Sequence, residues 1–298
     1  MGIKLLQMTS TIVRKVNMST VADHYGERGS LGYRNLFNII VEALGKSGTP
    51  LNGITIDNLA PMDEFHIGGR DATIDFLKQL NISEGHKVLD VGCGLGGPTR
   101  FAATQYGCDI IGVDLTHEFV SCGIELTKLV GLTDKVKLLT GSALDLKSVL
   151  TNDDELFDRA FMLHVGMNIE NKTLLVSEIA SQLRPGGLLG IYDVMRWGEN
   201  STQDLDLPVP WTTNNDTNFA AYPGDYKKAI DLAGMKLISE RNRFEFAVEF
   251  FSKVKQKKEP PILGLHLLMK DFPQKTGNML KNLKMCRIAP IEMIAVKQ

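Results

Sequence analysis

Charge of one sign, cysteine and long apolar runs are all scarce in this sequence. Its 298 residues carry 33 Lys+Arg against 35 Asp+Glu, a formal net charge of −2, so no global field draws in nucleic acid or an anionic membrane. The four cysteines, Cys93, Cys108, Cys122 and Cys286, lack paired C-x-x-C spacing. They are expected to be reduced, ordinary buried thiols rather than a zinc cage or a disulfide framework. No window reaches the ~18 apolar residues of a membrane span. The N-terminal apolar run is too short for a secretory signal, and the Met1-Gly2 start lacks the hydroxyl residue of a myristoylation site. A cytoplasmic location is expected. Without H-E-x-x-H, zinc spacing or G-x-S-x-G, metal hydrolysis and serine chemistry lose their usual support, and no metal is expected.

What is present is globular. Apolar residues make up 43% and charged residues 23%, and the length suits two domains or one nucleotide-binding α/β domain with additions. Helical apolar spacing runs through Leu36, Ile39, Ile40, Ala43 and Leu44, and again through Ala72, Ile74, Phe76, Leu77 and Leu80, with 59–69 between them as a loop. From Lys87 short apolar runs alternate with helix-length segments, the pattern of a parallel sheet with crossover helices. Strands are expected at 87–91, 109–114, 135–140, 157–163, 187–194 and 235–241, with helices near 97–106, 117–130, 170–184, 224–233 and 244–257. Residues 196–222 have no period and are rich in Asn, Asp, Thr and Pro, so they form a long inserted loop, usually a functional feature. Short helices near 262–270 and 274–285 and a last strand over 287–296 complete the chain. The division that follows is a helical cover over 1–86 and a core over 87–298 carrying the 196–222 insertion.

The clearest chemical signal is Val88-Leu89-Asp90-Val91-Gly92-Cys93-Gly94-Leu95-Gly96-Gly97-Pro98. A buried strand leads into a glycine turn and then a helix start, where bare backbone can approach a ligand and free N–H groups face it. Asp114 ends the next strand, where a carboxylate can accept from ribose hydroxyls or simply cap the following helix. Asp90 beside the turn repels a pyrophosphate and favours an amino or sulfonium group. That choice separates S-adenosylmethionine from a nicotinamide dinucleotide, which would use the same glycine pattern in an oxidoreductase. A non-catalytic adenosyl-binding protein is the other alternative.

Leu89 through Gly97 resembles the first motif of class I S-adenosylmethionine-dependent methyltransferases. Gly112-Val113-Asp114-Leu115 resembles the family's ribose motif and Gly141-Ser142-Ala143 its adenine-side loop, with Phe157-Asp158-Arg159-Ala160 as its fourth strand. Leu183-Arg184-Pro185-Gly186-Gly187 resembles the turn that closes the core. Asp63 to Gly69, His164 to Ile169, Pro208-Val209-Pro210-Trp211 and Leu263 to His266 extend the likeness to the small-molecule group of sarcosine/dimethylglycine N-methyltransferases.

The resemblance implies a Rossmann-like sheet of seven strands, six parallel and one antiparallel. It also implies S-adenosylmethionine as cofactor, S-adenosylhomocysteine as product and a small-molecule acceptor, most simply an amine nitrogen, with oxygen or carbon as alternatives. Asp90, Gly92, Cys93, Gly94, Gly96, Asp114, Leu115, Ser142, Ala143 and His164 would hold the cofactor. Many relatives carry Asp where Ser142 stands, so a hydroxyl would replace a carboxylate there.

His164, at the carboxyl end of the fourth strand, is the first candidate for base or positioning group, and His66, in a Gly-flanked loop, the second. Either could instead be a packed histidine. Tyr25, Asn168, Trp211 and Phe219 are candidate pocket residues, with Tyr222 a third loop aromatic beside Trp211 and Phe219. Core anchoring is the competing role for Trp211. The basic run Lys253, Lys255, Lys257 and Lys258 suits a solvated helix end. Neither a nucleic-acid nor a membrane partner is expected, and the oligomeric state is not legible.

Overall fold

The computed structural model describes residues 33–50, 52–150, 156–256 and 262–298. A helical lead-in, α1 (Tyr33–Lys46), α2 (Ile56–Asp63) and α3 (Gly69–Leu77), precedes a seven-stranded sheet. The alternating part runs β1 (Lys87–Val91), α4 (Gly97–Tyr106), β2 (Asp109–Asp114), α5 (His117–Leu129), β3 (Val136–Thr140), a short α6 (Leu146–Val149) and β4 (Phe157–Leu163). It continues with α7 (Lys172–Ser181), β5 (Leu183–Arg196), α8 (Pro223–Leu232), β6 (Met235–Asn242), α9 (Phe244–Gln256), α10 (Phe272–Lys284) and β7 (Ile288–Lys297).

The strand order is β3-β2-β1-β4-β5-β7-β6. β7 slots antiparallel between β5 and β6, so six strands point one way and one the other. Alternation builds two cores: Leu89 and Val91 of β1 face one layer with Ile191 and Tyr226, while Val88 faces the other with Phe76, Phe101, Phe161 and Tyr192. From β1 the chain builds outward to β2 and β3 on one side, then returns to lay β4 and β5 on the other. The crevice at that reversal, beyond the carboxyl ends of β1 and β4, is where open α/β sheets bind ligands.

Three expectations are corrected. The stretch 59–69 is not all loop: α2 covers its first part, its start fixed by a capping box between Thr55 and Asn58. Pro61 inside an eight-residue helix and a buried face of only Leu59, Met62 and Asp63 hide the helical period. Residues 262–270 hold just one 3₁₀ turn, Leu265–Leu267, after Gly264. The fifth strand reaches back to Leu183, because Leu183 pairs with Phe157 before an irregularity lets the ladder resume at Leu188. Of the lead-in helices, α3 places Phe76 and Leu77 in the sheet's own core.

All four cysteines are free, with three of them buried. Among the described residues no helix is long and apolar enough to cross a membrane.

Candidate active site

A cavity of about 820 Å³ occupies the crevice, lined by the segments that follow β1 to β4, by Val194 of β5, and by parts of the lead-in, the 196–222 loop, α9 and α10. Its floor is the glycine turn. Gly92 N donates to Val113 O at 2.7 Å and Gly94 N to Asp114 Oδ2 at 2.9 Å, lashing the turn to β2. Gly92, Gly94 and Gly96 all have positive φ. A Cβ on Gly92 would stand 2.3 Å from Val165, whereas one on Gly94 would meet nothing within 4 Å, so Gly94 presents bare backbone to open space. Pro98 sits in the first turn of α4, and that helix's N-terminus faces the cavity.

Two carboxylates flank the turn. Asp114 Oδ1 accepts from Thr116 N at 2.8 Å while Oδ2 holds Gly94, so it caps locally and still lines the cavity. Each oxygen retains a further lone pair for a ligand hydroxyl. Asp90 is buried and accepts from Thr99 Oγ1 at 2.6 Å. Burial pushes it up to about 7, against the Thr99 bond and with the charges of Asp114 and Glu64 adding. Cys93, Leu115, Ser142 and Ala143 all border the same space, and Ser142 Oγ also accepts from Leu144 N at 3.1 Å.

His164 caps β4 in the left-handed region, φ 56, a conformation that non-glycine residues adopt sparingly. Its N–H donates to Tyr192 O at 2.7 Å, and its ring lies 4.8 Å from Tyr192 and 6.0 Å from His66. Nε2 is buried with no hydrogen-bond partner among the described residues. Burial, with His66 adding, holds the imidazole well below its usual range and therefore neutral.

His66 comes from the lead-in, on a segment whose neighbour Ile67 accepts from Tyr192 Oη at 3.1 Å. Its Nε2 lies 3.1 Å from Gly69 O; a carbonyl only accepts, so Nε2 carries the proton. Thr73 sends its own proton to Glu64 Oε2 at 2.6 Å. Burial pushes His66 down to about 4, so the 3.6 Å approach to Glu64 is a contact of a neutral ring and not an ion pair.

Asn168, Trp211 and Phe219 line the cavity. Trp211 is both anchor and wall: it is buried, packs with Val209 and Phe251, and donates through Nε1 to Asn218 Oδ1 at 3.0 Å. Tyr222 is corrected: it is 42% exposed, starts α8 and lies outside the cavity lining. Tyr25, Lys257 and Lys258 lie outside the described residues. Lys253 pairs with Glu249 on the exposed face of α9.

Sequence reasoning missed three features. Arg100, wholly buried, donates to Asp63 Oδ2 at 2.7 Å and Thr127 Oγ1 at 3.0 Å, leaving Asp63 Oδ1 without a partner at the cavity wall. An arginine amid the apolar face Gly97-Pro98-Thr99-Arg100-Phe101-Ala102 is the one signal that could have flagged it. Buried Lys172 donates to the carbonyls of Ile169 and Phe219, tying the turn after β4 to the inserted loop. Finally α9 and α10, legible only as amphipathic helices, turn Phe250, Phe251, Val254, Phe272 and Met279 toward the cavity.

Among known proteins, a family model described as a methyltransferase domain matches residues 89–191. Methyltransferase GfsG of Streptomyces halstedii is 26% identical over 59% of this chain and 62% of its own length. Phosphoethanolamine N-methyltransferase 1 of Zea mays is 31% identical over 42% of this chain but only 24% of its own. The chain thus spans less than two thirds of either relative. Among solved structures, one described as a putative sarcosine dimethylglycine methyltransferase from Galdieria sulphuraria superposes with a TM-score of 0.59 at 17% identity, covering 76% of this chain and 84% of that one.

Proposed function

We propose that the chain, whose residues 89–191 match a methyltransferase domain, transfers a methyl group from S-adenosylmethionine to a small-molecule acceptor. The observation that carries this reading is the meeting of the glycine turn, Asp90 and Asp114 with His164 around one cavity. Bound there, S-adenosylmethionine would supply a methyl on a sulfonium and depart as neutral S-adenosylhomocysteine. Open space over Gly94 and the orphaned oxygen of Asp63 fit such a cofactor.

Asp114 would accept from the ribose hydroxyls, Ser142 would meet the adenine side, and Cys93, Leu115 and Ala143 would supply apolar contact. Gly92, Gly94 and Gly96 let the backbone come close. Asp90 and Asp63 suit the cofactor's ammonium. Residues 1–86 and the 196–222 loop would cover the site, with Tyr25, Asn168, Trp211 and Phe219 on the acceptor side. Holding nucleophile, methyl and sulfur in line is worth roughly 7–11 kcal/mol.

The finer reading is an amine nitrogen as acceptor atom, supported by the likeness to N-methyltransferases. An amine would enter the cavity as the free base, leaving its proton in bulk water because burial disfavours the charged form, and its lone pair would be the nucleophile. Methylation at oxygen is the second reading, favoured by the neutral imidazole of His164 in the cavity lining, which can take a hydroxyl proton.

Calorimetry with S-adenosylhomocysteine and with NAD tests the cofactor assignment. Saturable heat is expected with the first and none with the second, and Asp114→Ala should weaken binding by about 1.5–3 kcal/mol. Saturable heat with NAD alone would overturn it.

A further inference from the structure

The cavity lining as a whole has a distinct chemical character. Among the described residues the lining includes six carboxylates, Asp63, Asp90, Asp114, Asp145, Glu170 and Glu178, and no lysine or arginine. The part walled by α9, α10 and the inserted loop is apolar, with Trp211, Phe250, Phe251, Val254, Phe272 and Met279 around Thr276. Among the described residues, no group of three or more His, Cys, Asp or Glu side chains is placed to hold a metal ion that could bridge to an anion.

These observations decide which acceptors are excluded. The cofactor's carboxylate travels with two cationic centres on the same molecule, so its net charge suits an acidic wall. An amino-acid acceptor does not: once its nitrogen is deprotonated to free the lone pair, only the carboxylate charge remains. A phosphorylated amine is worse. Burying an anion without a paired cation costs several kcal/mol. An apolar body, by contrast, gains about 25 cal/mol for each Å² removed from water.

We propose that this chain's acceptor is an uncharged, largely apolar molecule seated among α9, α10 and the 196–222 loop, with its single polar reacting group beside the imidazole of His164. The proposal rests on the methyltransferase reading and names its substrate class. It sets this site apart from one built for carboxylated or phosphorylated amines, despite the family likeness to enzymes of that kind. His66 spends its Nε2 on Gly69, which leaves His164 as the cavity-lining imidazole for a hydroxyl or neutral amine.

The test uses a matched set on one skeleton: 2-naphthylmethanol, 2-naphthylmethylamine and 2-naphthoate, with sarcosine and phosphoethanolamine alongside. Each is titrated into the full chain with and without S-adenosylhomocysteine. The alcohol should bind at least ~100-fold more tightly than the carboxylate, the scale of an unpaired buried charge, and the amine, an ammonium in water, should release a proton as it binds. Val254→Arg, which adds the missing cation, should narrow that gap. Equal or tighter binding of 2-naphthoate by the unaltered chain, or binding of sarcosine or phosphoethanolamine without the naphthyl alcohol, would overturn the proposal. If S-adenosylhomocysteine binds while the ligand order is reversed, only this inference falls. If the order holds but S-adenosylhomocysteine does not bind, the cofactor reading falls instead.

Discussion

Asp90 links one residue's environment to a measurable pH dependence. Its carboxyl, pushed up to about 7, holds a proton in the free protein over a range where an unfolded chain has released it. A cationic ligand group favours the ionised form, so binding below about pH 7 must expel that proton. Affinity for S-adenosylhomocysteine should therefore fall by up to about tenfold per pH unit below 7 and level off above it, as linkage requires. In Asp90→Asn calorimetric titrations the slope should vanish; a slope that survives would assign it to another group. His164 calls for a kinetic experiment. If it takes a proton in the reaction, His164→Ala should lower the maximal rate by roughly 10²–10⁴-fold. The acid limb of the rate profile should then lie below the 6–7 of a free imidazole, since burial favours the neutral ring. If it only positions the acceptor, His164→Asn should keep most of the rate and the profile its shape. At this scale the sequence was informative wherever chemistry is local: the glycine turn, Asp90 and Asp114 lie within one β-turn-α-β stretch. It was blind to Asp63 with Arg100 and to His66 beside His164, because those partners meet only after α2, α3 and β4 pack together.

The elements divide along the same line. β1 and β4, inside the sheet, were readable as short apolar runs because both of their faces are buried, whereas β3 at the edge alternates buried and exposed residues. α2 was lost to Pro61 and brevity, and the backward extension of β5 to Pro185 and Gly186, which read as a turn yet sit beside a ladder irregularity. The inserted loop was recognised as an insertion, but its attachment was not. Lys172 on α7 grips it through Phe219 O at 2.8 Å and grips the turn after β4 through Ile169 O. Lys172→Met should free the loop's hold on the cavity wall. The acceptor KM should rise by about tenfold, the scale of one charged hydrogen bond, with S-adenosylhomocysteine affinity unchanged. A lost cofactor affinity would instead show that Lys172 supports the whole crevice.

For the whole molecule, the fold follows from the order in which strands join the sheet. Reversal between β1 and β4 creates one crevice, and the helices left over from the alternating pattern, at both ends of the described chain, have an apolar face to bury there. The lead-in, the inserted loop, α9 and α10 close over the same edge. The alternation announced the sheet, whereas the apolar acceptor chamber depended on long-range packing that no periodicity encodes. Cofactor side and acceptor side thus share one cavity, and a methyl group should pass between them. The most direct measurement incubates the full chain with S-adenosylmethionine deuterated at its methyl group and the naphthyl alcohol and amine, then weighs every product by mass spectrometry. The expected result is an intact trideuteromethyl group on the acceptor together with S-adenosylhomocysteine in equal amount; deuterated cofactor recovered unchanged, after calorimetry has shown both ligands bound, would contradict transfer.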